Sequence, residues 1–314
     1  MRLLILGGTG FIGSNVAKLS QARGVSVSIL SRSRAPAHGI GDTTFYSGDV
    51  SSRESLSATL RCARPTHVLY AASSLNPRTE LTVDDRDRRS EQIAISHLLD
   101  LLDPQTQRLV YLSSAGTVYG NTTESISEDE PLCPISIYGH VKVACEQLIV
   151  RSREKGLQSA ILRLSNPYGP GQDPLGSQGF IAILIGKLLE SKQCSVYDNS
   201  YRDYIFIDDA VEAIWKALLT PGSFTLNIAS GTSRSAAEVA QLVCREVQMP
   251  TTLLSVTQAL PHEVGSIYLS IERAESFLKW CPTTILTDGL RLTIPYVKSI
   301  VAKYRDPGIG EAVV

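Results

Sequence analysis

Four apolar residues, Leu3-Leu4-Ile5-Leu6, run straight into Gly7-Gly8-Thr9-Gly10-Phe11-Ile12-Gly13. No other stretch restricts the fold as strongly. The apolar run has the length of a buried strand, and Ser14-Asn15-Val16-Ala17-Lys18-Leu19 can continue as a helix. Strand, glycine turn and helix in this order form the context of a phosphate-cradling loop. Gly7 allows the tight turn. Gly10 lets backbone N–H groups approach a pyrophosphate, and Gly13 lets the helix pack against the strand. The helix N-terminus adds unpaired N–H donors and a partial positive charge. Gly7, Gly10, Phe11, Ile12 and Gly13 are therefore expected to hold a dinucleotide.

The rest of the first half repeats the alternation. Strands are expected at Leu3–Leu6, Val25–Leu30, Thr44–Tyr46, His67–Ala71, Arg108–Leu112 and Ser159–Leu164. Helices are expected at Ile12–Arg23, Ser52–Cys62, Asp87–Leu102 and Tyr138–Glu154. Continuous apolar strands between helices mean an α/β protein with a parallel sheet covered on both faces. Right-handed crossovers make it a doubly wound, Rossmann-type sheet. From Asn166 onward the pattern is mixed, with helices expected at Phe180–Glu190, Ser235–Val247 and Ile271–Trp280. The expected organisation is a dinucleotide-binding domain over residues 1–165 and a smaller C-terminal α/β substrate lobe over 166–314, some of whose segments return to the first domain.

A net charge of −1 over 314 residues gives no reason to expect nucleic acid or an anionic membrane as partner. No apolar run reaches membrane-spanning length. The six scattered cysteines contain no C-x-x-C pair and read as free thiols of a reducing cytoplasm, with no metal site. The charged run Thr82–Arg89 reads as the start of a solvated helix.

Where a free ribose 2′-hydroxyl usually meets an acid at the end of the second strand, this chain has Ser31-Arg32-Ser33-Arg34. An arginine suits a 2′-phosphate, so the cofactor is expected to be NAD or NADP with a lean to NADP. A plain solvated basic loop is the competing reading. Asp49, followed by Val50, is placed to accept from an adenine amino group, and Ala71-Ala72 are small enough for a cofactor to lie against the backbone.

A second stretch, Val110 to Gly120, runs a strand out into hydroxyls: Ser113, Ser114 and Thr117. Ligands of open α/β sheets bind at that edge. Further on, Tyr138 and Lys142 stand four apart on one helical face. A lysine ammonium there lowers the phenol pKa from about 10, the direction a general base needs.

Together these residues resemble the extended short-chain dehydrogenase/reductase family, in its NAD-dependent epimerase/dehydratase branch acting on nucleotide sugars. The resemblance rests on five motifs: Gly7-x-x-Gly10-x-x-Gly13, Ser113-Ser114-x-x-Thr117-Val118-Tyr119-Gly120, Tyr138-x-x-x-Lys142, Arg163 to Gln172, and Arg202-Asp203-Tyr204 to Ala210. Leu226-Asn227-Ile228-Ala229-Ser230-Gly231 looks like the family's late strand-turn. The resemblance implies that Tyr138 is the catalytic acid/base, that Lys142 tunes it and holds the nicotinamide ribose, and that Ser113 adjoins the cofactor. It implies that Asn166 and Arg202 hold the sugar diphosphate. It also implies a homodimer built from the helices Asp87–Leu102 and Tyr138–Glu154.

The departures are informative. The usual catalytic hydroxyl position is Ala115, so Thr117, or failing it Ser114, is expected to supply the hydroxyl. Glu91 and Gln92 stand where relatives often carry asparagine. Leu260 and Glu263 replace the arginine and aspartate of an Arg-x-x-Asp-Val segment, and His262 between them reads as a surface histidine. Ser270 sits where an aspartate is frequent. The leading expectation is a nucleotide-sugar epimerase inverting C4 of a hexose. An NADPH-dependent reductase of a 4-keto-6-deoxy nucleotide sugar comes second. A dehydratase comes third, because the loop at Gly116-Thr117 lacks an acidic pair. A non-catalytic NADP sensor is the reading from another class, and an intact Tyr138 and Lys142 oppose it.

Overall fold

The computed structural model describes residues 1–32, 41–73, 75, 85–122, 124–198, 201–257 and 266–305. Ser33, Arg34, Asp84 and the segment from Leu260 to Val264 lie outside the described residues. The first half runs β1 (Arg2–Leu6), α1 (Phe11–Ala22), β2 (Ser26–Ser31), β3 (Thr43–Ser47), α2 (Arg53–Ala63), β4 (His67–Tyr70), α3 (Asp85–Leu101), β5 (Arg108–Ser114), α4 (Ala115–Val118), β6 (Ser125–Ile126), α5 (Ile137–Ser152) and β7 (Gln158–Leu164). The second half runs β8 (Asn166–Tyr168), α6 (Phe180–Leu189), β9 (Cys194–Tyr197), β10 (Tyr201–Phe206), α7 (Ile207–Leu219), β11 (Phe224–Ile228), β12 (Ser233–Ser235), α8 (Ala236–Val247), β13 (Leu254–Thr257), β14 (Tyr268–Leu269), α9 (Glu272–Leu278) and α10 (Leu286–Arg305).

Seven strands form the main sheet in the order β11-β7-β5-β4-β1-β2-β3. Every pairing in it is parallel. All carboxyl ends therefore open on one edge. The order reverses between β4 and β1, the switch point at which open α/β sheets bind ligands. β11 comes from the second half of the chain and pairs with β7 along its length.

The central strands β1, β4, β5 and β7 are largely apolar because both of their faces are buried, whereas the edge strand β3 is only partly covered. Leu3 and Ile5 of β1 enter one core, Leu4 and Leu6 the other. β5 divides likewise, Val110 and Leu112 against Leu109 and Tyr111. The first core is closed by α1 and α7, the second by α2, α3 and α5. α8 starts with a complete capping box between Ser235 and Glu238. Small sheets β12-β10-β8, β13-β9 and β14-β6 build the second lobe and lace it to the first. Among the described residues, no helix is long and apolar enough to cross a membrane.

Candidate active site

The glycine loop sits at the switch point. Gly7 has φ +87°, and a Cβ there would lie 2.6 Å from the Ala72 nitrogen. A Cβ on Gly13 would lie 2.4 Å from the Gly7 carbonyl oxygen. Both glycines are required by the protein's own backbone. Gly10 is different: a Cβ would meet nothing nearer than the Gly7 oxygen at 3.4 Å. Gly10 is also the N-cap of α1 and leaves that helix without a side-chain cap. Open space above an uncapped helix N-terminus is a cradle for an anion, and a dinucleotide pyrophosphate fits it. Phe11 and Ile12 begin the helix whose N–H groups face the cradle.

The neighbouring strand ends line the same edge. Ser31 closes β2, is nearly buried, and its hydroxyl lies 3.3 Å from that of Thr9 in the loop. Arg32 follows it, exposed. Asp49 accepts from the Ser51 N–H and hydroxyl, each at 2.8 Å. The Ser51 N–H, helped by its hydroxyl and the Arg32 charge and opposed by burial, holds the Asp49 carboxyl below its ordinary range. Val50 packs against the α2/α3 core. Ala71 and Ala72 lie against Gly7, so the end of β4 forms the floor of the loop.

The residues expected to react, Tyr138 and Lys142, lie on α5. Ser136 caps this helix by accepting from the Gly139 N–H at 3.0 Å. Tyr138, Lys142 and Glu146 recur every four residues and form one stripe facing the end of β5. Each meets a successive residue there. Lys142 donates to the Leu112 carbonyl at 3.3 Å, the Ser113 hydroxyl donates to Glu146, and Ser114 hydrogen-bonds Tyr138. Below the stripe, Lys142 Nζ pairs with Glu91 Oε1 at 2.6 Å. Glu146 takes Arg163 of β7, at 2.7 Å from Nη2 and 3.2 Å from Nε.

Two features differ from the sequence expectation. Burial pushes the Tyr138 phenol above its ordinary pKa; Lys142 pulls it down, Glu91 pushes it up again, and bonds from Ser114 and Lys142 lower it. The lysine thus opposes a larger desolvation penalty instead of setting the net direction. The hydroxyl against Tyr138 belongs to Ser114. Thr117, buried in α4, donates to the Ser114 carbonyl at 3.2 Å. Side chains leave a strand end and a one-turn helix in directions that spacing alone does not specify. Ser113 turns into the buried Glu146–Arg163 cluster, so what it offers the cleft is backbone.

On the second lobe, β8 and β10 pair in parallel with Asn166 beside Tyr204. Strand alternation puts Arg202 on the same face as Tyr204 and Asn166. Asn166 Nδ2 donates to the Asp203 carbonyl at 2.8 Å, and a Cβ on Gly116 would lie 4.0 Å from the Asn166 amide. Asn166 therefore lies beside α4, which follows Ser114. Arg202 is half-exposed and donates from Nη1 to the Tyr201 carbonyl at 3.1 Å. Asp203 is fully buried and accepts from the Ser230 N–H and hydroxyl and the Thr232 N–H, tying down the turn after β11. Asp209 does the same for Thr283 and Thr284. Asp203 and Asp209 of this motif are structural ties. Tyr119 is buried, bonded to Asn227 and Arg163, and desolvation pushes its phenol up to about 12.

A model of the NAD-dependent epimerase/dehydratase family matches residues 3–229, from β1 to just beyond β11. The chain belongs to that family. As a member of the NAD-dependent epimerase/dehydratase family it is an enzyme built around a nicotinamide dinucleotide. UDP-glucose 4-epimerase of Mycolicibacterium smegmatis is 27% identical over 315 residues, covering 95% of this chain and 99% of that protein. An Escherichia coli dTDP-4-dehydro-6-deoxyglucose reductase is 30% identical over 236 residues, covering 74% of each. The solved structure of Thermus thermophilus UDP-glucose 4-epimerase in complex with NAD is 28% identical and superposes with a TM-score of 0.86, over 95% of this chain and 99% of that one.

Proposed function

We propose that the protein is a nucleotide-sugar epimerase that inverts C4 of a UDP-hexose through a transient 4-keto sugar. The observation that carries this reading is the grouping of Tyr138, Ser114 and Lys142 at the sheet edge that also holds the glycine cradle. Tyr138, ionised, takes the proton of the sugar 4-hydroxyl and later returns it. Ser114 holds that oxygen and shares the proton's path. Lys142, held on Glu91 and the Leu112 carbonyl, turns its remaining donor to Tyr138 and steadies the charge there. A nicotinamide held at this edge would supply reversible hydride exchange with C4. Asn166 and Arg202 hold the diphosphate while the keto sugar turns and presents its other face. Gly7, Gly10, Gly13 and the start of α1 hold the dinucleotide, with Asp49 at its adenine and Ala71, Ala72 and Val50 along its length.

The relatives named UDP-glucose 4-epimerase support this reading, and so does the neighbour solved with NAD. Exposed Ile93 on α3 and Val150 on α5 support a homodimer formed through those two helices. One observation favours a second reading. Arg32 follows Ser31 at the end of β2, where a 2′-phosphate would sit, which suits an NADPH-dependent reductase of a 4-keto-6-deoxy sugar, the kind of reaction the E. coli relative's name describes.

Incubation with UDP-galactose, with NAD and no reductant, tests the proposal. Appearance of UDP-glucose supports the epimerase. Turnover confined to a 4-keto-6-deoxy sugar, with NADPH consumed stoichiometrically, replaces it with the reductase.

A further inference from the structure

Glu91 lies on α3 beneath the reacting groups, 2% exposed. Three donors converge on its carboxylate. Lys142 Nζ reaches Oε1 at 2.6 Å and the Tyr111 hydroxyl reaches the same oxygen at 2.9 Å. The Ser73 hydroxyl reaches Oε2 at 2.9 Å. A buried carboxylate this well supplied with donors is held in one place.

Its effect passes to Lys142. An ammonium on a four-carbon stem is otherwise a mobile point charge. Here two of its three donors are fixed, on Glu91 and on the Leu112 carbonyl, and the remaining one is directed at Tyr138. The charges also cancel. One positive and one negative group at hydrogen-bond distance present a dipole to the phenol where a lysine alone would present a full charge.

Other titratable groups face this pair from every side. Tyr70 of β4 and Tyr111 of β5 stand with ring centres 5.7 Å apart, and Cys145 adjoins from α5. Burial keeps both phenols and the thiol neutral. On α2, Arg53 pairs with Asp100 at the exposed far end of α3, and His97 lies near that end against the Ser51 carbonyl. Among the described residues, Lys142 and Glu91 are thus the charges in contact beneath Tyr138.

We propose that Glu91 is a positioning residue for the reaction: its buried carboxylate pins the Lys142 ammonium below Tyr138 and offsets that ammonium's charge at the phenol, so one side chain sets both where the lysine stands and the pH at which Tyr138 ionises. The proposal rests on the assignment of Tyr138 as the proton-transfer group.

Glu91→Gln is the informative variant. Its amide oxygen still accepts from Lys142 and Tyr111. Its NH2 group donates to the Ser73 hydroxyl, which already has the Leu75 carbonyl as an acceptor at 3.0 Å. Shape is kept and charge is lost. The near-ultraviolet phenolate absorbance is titrated with NAD present and no sugar, with Tyr138→Phe as the blank. In Glu91→Gln the Tyr138 step should move to lower pH, and the acid limb of kcat for UDP-galactose should move with it while KM stays. Glu91→Ala, which also frees the lysine, should lose roughly a hundredfold in kcat. Tyr111→Phe removes a hydrogen bond and leaves the charge, so its Tyr138 step should stay in place.

A Tyr138 step in Glu91→Gln that coincides with the wild type, or moves to higher pH, overturns the proposal. So does a kcat profile merely scaled down at every pH in parallel with a lower Tm, which would make Glu91 a structural support. If the wild type converts no UDP-galactose, the epimerase reading falls, and the titration still decides the role of Glu91.

Discussion

Arg163 and Glu146 form a forked ion pair inside the protein, 2.7 Å at its shortest and with neither side chain more than 8% exposed. It joins β7 to the helix that carries Tyr138 and Lys142, and the Ser113 hydroxyl joins it to β5. Removing Glu146 leaves Arg163 buried with the Tyr119 hydroxyl and the Glu128 carbonyl but without its ion-pair partner. Glu146→Ala should cost about 3–5 kcal/mol, measured by urea unfolding. A loss below about 1 kcal/mol would mean that the guanidinium finds other partners.

The glycines of the first loop should separate stability from binding. Gly13→Ala drives a methyl into the Gly7 carbonyl and should cost about 3 kcal/mol. Gly10 has φ −77° and open space beside it, so Gly10→Ala should stay within about 1 kcal/mol of the wild type. Its dinucleotide affinity should nevertheless fall at least about tenfold. Calorimetric titration with NAD and NADP checks the second half. Unchanged binding in Gly10→Ala would mean that the pyrophosphate lies elsewhere.

Of the two hydroxyls near Tyr138, Ser114 should dominate. Ser114→Ala is expected to lower kcat by roughly 10²- to 10⁴-fold, and Tyr138→Phe should abolish turnover. Thr117→Val should cost far less, because that hydroxyl serves the Ser114 carbonyl. Initial rates on one nucleotide sugar settle the order, and a reversed order would return the role to Thr117.

Arg32 should discriminate between cofactors. Arg32→Ala is expected to weaken NADP binding about tenfold and leave NAD nearly unchanged. Fluorescence titration with each reduced cofactor is the measurement. Equal losses for both would reduce Arg32 to a general attraction for phosphate.

His67, at the start of β4, contacts the Thr66 hydroxyl through Nδ1 at 2.9 Å. Burial, then the Arg108 charge, then the N-terminal ammonium hold its pKa below 6.5. Its contribution to stability is complete above 6.5 and declines as pH falls through the folded-state pKa. His67→Gln should therefore show a flatter dependence of Tm on pH below 6.5 than the wild type.

The sheet was legible in the sequence because its central strands are apolar on both faces and alternate with helical segments. Leu3–Leu6 falls inside β1, and Ser159–Leu164 inside β7. The stripe of Tyr138 and Lys142 could be read because four residues return a helix to the same face. Glu91 was visible only as an acid where an amide was expected. Nothing local says that a residue on α3 meets a lysine 51 positions later, since that contact depends on how two helices cross the sheet. The placement of Ser114 against Tyr138, with Thr117 on the Ser114 carbonyl, could not be read from spacing for a related reason: the strand ends at one and a single helical turn carries the other.

The pairing of β11 with β7 has a consequence for synthesis. β7 ends at Leu164, and the strand that completes its edge begins only at Phe224. While the intervening chain emerges from the ribosome, β7 stands as an open edge with its hydrogen-bonding groups unpaired, a template for any passing strand. Slow translation or early termination within that interval leaves a nascent protein whose glycine loop is complete and whose sheet is still able to recruit a neighbour. Docking of Phe224–Ile228 closes that edge of β7.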